Sequence, residues 1–112
     1  MTDEMPAGFP GLERFAPKYP GRRMFRYVVP VDDRPHLVLL TSSPLHVANG
    51  STLDEVEFWA EHVSGAPEVA RAFQVFGTGH PLPEGARYVG TCPRTREGIV
   101  WHLYERGGPH EH

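Results

Sequence analysis

Breakers, more than any motif, limit what this chain can fold into: its 112 residues include 12 Gly and 12 Pro. Spread along the sequence as they are, they leave room for short strands joined by turns and none for long helices. Proline lacks the helical N–H donor, and glycine loses the most backbone entropy on ordering. The length admits one domain with one core. The expected fold class is therefore all-β, mainly an antiparallel small sheet or sandwich.

Residues 1–22 carry Pro6, Pro10, Pro17 and Pro20 with Gly8, Gly11 and Gly21, and keep neither a strand nor a helix period. They read as a disordered or docking N-terminal arm, because Phe9, Phe15 and Tyr19 give it apolar anchors. Five basic residues, Arg14, Lys18, Arg22, Arg23 and Arg26, crowd the end of this arm and the beginning of the adjoining strand segment. A single β-rich domain is expected over 23–106, and Gly107-Gly108 opens a polar tail, 107–112.

From Met24 the text becomes MFRYVVPV, then a breaker cluster at 32–35, then HLVLLT at 36–41, which reads as strand, turn, strand. Leu45 to Ala48 gives a third strand. Asn49-Gly50 is the dipeptide favoured by a type I′ turn, so a hairpin around 45–63 is expected. Residues 52–63 read two ways. A helix has the capping box Thr52 and Glu55, with Leu53, Val56, Trp59, Ala60 and Val63 at helical spacing. A strand has Val56, Phe58 and Ala60 alternating with Glu57, Trp59 and Glu61. Ala72 to Phe76, Arg87 to Thr91 and Ile99 to Tyr104 complete six or seven strands. The last should put Ile99, Trp101 and Leu103 on one face, with both tryptophans expected as core anchors.

A formal net charge of -3 and a pI near 6.1 argue against general nucleic-acid binding. One cysteine makes no internal disulfide, and no apolar run has the length of a signal or a membrane span, so a cytoplasmic location is expected. Seven histidines lack the close spacing of a zinc motif, so no metal and no cofactor are expected. Cys92 has no helix N-terminus to activate it. Asp54, Glu55, Glu57 and Glu61 read as a solvated face, and no catalytic set emerges.

The strongest candidate for chemistry is GTGH, Gly77, Thr78, Gly79 and His80. Its glycines let backbone N–H groups turn toward one point, while Thr78 and His80 add a hydroxyl and a ring donor suited to an anionic oxygen. Arg71 and Arg87 flank it in sequence and are expected to hold phosphate or carboxylate. Trp59 and Tyr88 are candidate stacking platforms for a base. The competing reading is a tight turn whose Thr and His bond its own backbone. The loop is not a Walker motif, since it lacks the Lys-Ser/Thr ending.

GTGHPLPEGARYVGT, followed by GIVWHLYE and preceded by RYVVPVDD and LHVANG, resembles a family of small proteins carried by tailed bacteriophages and prophages. The likeness covers most of 25–105 and leaves out the arm. It implies a strand around Trp59, which tips the 52–63 alternative toward the strand and leaves one short helix around 52–63 as the other reading. It also implies a phage accessory protein inside a bacterial host, a class that often counters host defence. The resulting expectation is a non-enzymatic, homo-oligomeric binder that sequesters a small phosphorylated or nucleotide-derived host immune signal. The alternative is a protein inhibitor of a host defence enzyme, acting through the arm or a sheet edge.

Overall fold

A computed structural model describes residues 21–107, and within them the chain is all-β. Seven strands succeed one another: β1 (Arg22–Pro30), β2 (His36–Leu40), β3 (Pro44–Asn49), β4 (Glu55–Val63), β5 (Val69–Gly77), β6 (Arg87–Thr91) and β7 (Trp101–Arg106). They form two sheets, ordered β1-β4-β3 and β2-β5-β7-β6, with every pairing antiparallel. This is the sandwich expected of short alternating strands separated by breakers.

β4 shows why the strand wins over 52–63. As the central strand of its sheet it pairs along its whole length with β1 and again with β3. Alternation puts Val56, Phe58 and Ala60 on the core face at 0% exposure, whereas the helical stripe would have needed Leu53, which stands in solvent. The capping residues serve the loop instead: Thr52 Oγ1 accepts from the Asp54 N–H at 3.3 Å. No helix occurs among the described residues.

The core forms where the sheets face each other. Phe58 of one sheet and Phe73 of the other meet with ring centroids 5.0 Å apart, both fully buried, amid Val29, Leu40, Val75 and Leu103. Burying each ring contributes roughly 1.5–3 kcal/mol, and the aromatic pair about 0.5–1.5 more.

Several local expectations need correction. The 45–63 hairpin exists, but its turn is a five-residue loop, 50–54, with no positive φ at Gly50. Glycine is needed there for close approach, since a Cβ would stand 2.6 Å from the Glu55 Cβ. The last strand starts at Trp101, and Ile99 lies exposed in the preceding loop. Neither tryptophan is fully buried. Trp101 packs against the core from its margin, and Trp59 lies on the outer face, its ring 5.8 Å from that of His46. Arg22, Arg23 and Arg26 belong to β1, whose cations face β4 carboxylates: Arg22 meets Glu61 at 3.4 Å and Arg26 meets Glu57 at 3.5 Å. Glu57 is 8% exposed, so the acidic face is not simply solvated. Phe9, Arg14, Phe15, Lys18 and Tyr19 lie outside the described residues.

Candidate functional site

Where β5 leaves its sheet, the 77–80 segment closes on itself. The His80 N–H donates to the Gly77 carbonyl at 3.1 Å, and the Gly77 N–H donates to His80 Nδ1 at 3.2 Å. Gly79 holds φ +90, a conformation other residues rarely adopt. Because Nδ1 accepts, the neutral His80 ring carries its proton on Nε2. Thr78 Oγ1 bonds His102 Nε2 at 2.8 Å, His102 Nδ1 bonds Thr91 Oγ1 at 3.0 Å, and Thr91 Oγ1 bonds the Tyr88 hydroxyl at 2.6 Å. Along the same face of the sheet Tyr104 meets Phe76 and Tyr88 edge to face, with centroids 5.7 and 5.6 Å apart. The turn, Phe76, Leu82, His102 and Tyr104 line a shallow cup of about 160 Å³.

Five of the expected ligand residues, Gly77, Thr78, Gly79, His80 and Tyr88, thus come together, joined by Thr91, His102 and Tyr104. The other three do not. Arg71 grips Glu105 bidentately, Nε to Oε2 and Nη2 to Oε1 both at 2.9 Å, and donates a third bond to Ser43 Oγ at 3.2 Å. Arg87 Nη2 lies 3.3 Å from the same carboxylate, which is 4% exposed. Bonding to Glu105 holds the Arg71 guanidinium above its ordinary pKa. Arg71 precedes Gly77 by six residues on one strand, a run of roughly 20 Å at about 3.3 Å per residue. Trp59 lies in the other sheet, between Arg26 and His46 in register.

A second concavity is larger and has no counterpart among the sequence expectations. Loop 50–54 and the segment after β6 face each other across an open groove of about 600 Å³, lined among others by Ser51, Thr52, Arg94, Arg96, Glu97 and Trp101. Both loops are internally braced. The Gly50 N–H donates to the Glu55 carbonyl at 2.9 Å, and Thr95 exchanges backbone bonds with Gly98 and Ile99 at 2.9 and 2.8 Å. Asn49 Nδ2 ties the loops by donating to the Pro93 carbonyl at 3.0 Å, while its buried Oδ1 has no partner among the described residues. An unpaired buried acceptor costs about 1–3 kcal/mol. Arg94 and Arg96 are exposed and meet no carboxylate among the described residues. Residues 93–98 read in sequence as a plain turn. The signal that could have found them is two arginines around a threonine in a Gly-closed turn just before a tryptophan.

Two other reactive side chains, Cys92 and His36, are inert or occupied. Cys92 is buried, and burial pushes its thiol up to about 11, away from nucleophilic use. His36 bonds Asp32 at 2.7 Å, and that bond chiefly holds the carboxyl below its usual range. No three His, Cys, Asp or Glu side chains gather into a metal-sized group among the described residues. No helix among them is long and apolar enough to cross a membrane.

Fold and concavities together define a small antiparallel β-sandwich with braced loops at its margins. The chain belongs to a family described as a domain of unknown function, DUF7352, which matches residues 20–112. No curated protein and no solved structure matches the chain.

Proposed function

We propose that the chain is a non-enzymatic binding protein that holds a small phosphorylated or nucleotide-like ligand in the cleft between loop 50–54 and residues 94–97. The observation that carries this reading is the pair Arg94 and Arg96, free of carboxylate partners among the described residues, on a braced loop beside the Trp101 indole. Guanidiniums recognise phosphate through forked N–H donors, Thr52 has a hydroxyl proton to give while Ser51 donates to Glu55 at 3.4 Å, and an indole accepts a base by stacking. A volume of about 600 Å³ falls within the range of small-molecule sites, whereas the cup of about 160 Å³ at the GTGH turn is below it. Among the described residues Glu97 is the only carboxylate lining the cleft and no histidine lines it, while the nearby Cys92 thiol is held protonated by burial, which favours retention over turnover.

The resemblance to small tailed-phage proteins supports a role for this binding inside a bacterial host, as sequestration of a nucleotide-derived immune signal. The test is to incubate the purified chain with extract of phage-infected cells, release what it holds by heat and identify it by mass spectrometry. Recovery of an intact nucleotide by the wild type, and its loss from Arg94→Ala/Arg96→Ala, is the expected result. A chemically altered product would overturn the non-enzymatic reading, and retention unchanged in the double variant would remove the cleft as the site.

A further inference from the structure

We propose that β2 is the docking edge for a second copy of this chain, through antiparallel β2-to-β2 pairing centred on Val38. Among the described residues each sheet ends in two edge strands, β1 and β3 in one and β2 and β6 in the other. A bare edge invites pairing, and proteins blunt edges with charge, proline or bulges. Three of the four edges carry such devices. β1 has Arg22, Arg23 and Arg26 and ends in Pro30. β3 starts at Pro44 and shifts register between Pro44 and His46, and β6 shifts between Tyr88 and Gly90. β3 and β6 also cover one another: a Cβ at Gly90 would stand 2.6 Å from Val47 Cγ2.

β2 has none of these. HLVLL contains no proline, glycine, Lys, Arg or acid, and its pairing with β5, its only partner strand among the described residues, is unbroken. Alternation sends Leu40 into the core at 1% exposure and leaves Leu37 and Leu39 on the outer face at 76% and 56%. Two exposed leucines on an undefended edge are unexplained in a monomer.

The segment is also complementary to itself. Antiparallel pairing about a two-fold axis at Val38 sets Leu37 opposite Leu39 of the second copy, and the reverse, joining four leucines on one face. His36 falls opposite Leu40 of the second copy. Asp32, Asp33 and Arg34 pass beside Ser42, Ser43 and Pro44 of the second copy, so no like charges meet. The two four-stranded sheets would become one of eight strands. A five-residue edge lies below the roughly 1,200 Å² typical of stable interfaces, so the dimer is a weak, concentration-dependent one.

The test uses the full chain. Sedimentation velocity from about 1 µM to about 500 µM should show monomer passing to dimer. Leu37→Lys/Leu39→Lys should raise the dissociation constant at least about tenfold, with an unchanged circular dichroism spectrum and undiminished ligand retention in the cleft. Register is checked with single cysteines: a Leu37→Cys chain mixed with a Leu39→Cys chain should crosslink to each other faster than either does to itself. A monomer at every concentration, a dimer indifferent to the lysines, or preferential like-with-like crosslinking would each overturn the proposal. So would capture at this edge of a peptide from another protein by a chain that never self-associates.

Discussion

The 77–80 turn and the 94–97 loop are both tight, braced by backbone bonds and rich in polar side chains, yet those side chains meet different fates. At the GTGH turn both polar side chains find a partner within the chain: His80 Nδ1 takes the Gly77 N–H, and Thr78 continues through His102 and Thr91 to Tyr88. Beyond the turn, Arg71 and Arg87 converge on Glu105. Around the 94–97 loop backbone bonds and the Thr95 hydroxyl, which accepts from the Ile99 N–H at 3.0 Å, provide the bracing, and the two guanidiniums stay free among the described residues. A group already paired within the fold contributes to stability, whereas an unpaired cation on a rigid loop remains available to a ligand.

Four measurements can break or sharpen that contrast. The largest effect is expected at Glu105. Replacing it by Ala leaves Arg71, with only 21% of its side chain exposed, and Arg87 without their anion, so urea denaturation should register a loss of about 3 kcal/mol. A loss under about 1 kcal/mol would release these arginines for ligand binding.

Next comes Cys92, next to the cleft. Its folded pKa is raised, so its contribution is complete below the unfolded value near 9 and is lost as pH climbs toward about 11. Comparing stability at about pH 8.5 and about pH 10.5, the wild type should lose on the order of 1–2 kcal/mol more than Cys92→Ala. Equal losses would mean that the thiol is hydrated. Tyr27, raised chiefly by burial, titrates in both proteins and cancels.

Thr78→Val should cost about 1 kcal/mol by removing one partner of His102. The ligand recovered from cell extract should be unchanged. If its retention falls with Thr78→Val, the site belongs to the GTGH turn after all. The smallest structural effect is expected from Arg94→Ala/Arg96→Ala, within about 0.5 kcal/mol of wild type, as for exposed side chains without partners. A larger loss would show that these arginines hold the fold and would blunt their use as a test of binding.

How legible the site is in the sequence depends on the range of each interaction. The GTGH turn can be read because its bonds span three residues, from Gly77 to His80. The partner of Thr78 cannot, since His102 lies 24 positions away and reaches it only through the pairing of β5 with β7. Arg71 and Arg87 look like neighbours of the loop because they flank it in sequence. On extended strands, however, a few residues already separate groups by many ångströms, and a buried carboxylate lies closer. The 94–97 loop gives no such local signal because its interest comes from facing loop 50–54, and no short pattern encodes that encounter.

Alternation and breakers act between adjacent residues, so the sequence alone determined that this chain makes short antiparallel strands and roughly where they lie, while it placed Ile99 and both tryptophans too far inward. The two-way text at 52–63 marks the limit of that reasoning, because both periods are present and only pairing with β1 and β3 chooses between them. Tertiary structure decided which charges meet, which hydroxyls are satisfied, which edge is bare and where a cleft opens. Each of these depends on register between segments such as Arg71 and Glu105, 34 residues apart, and register is set by the packing of the whole core.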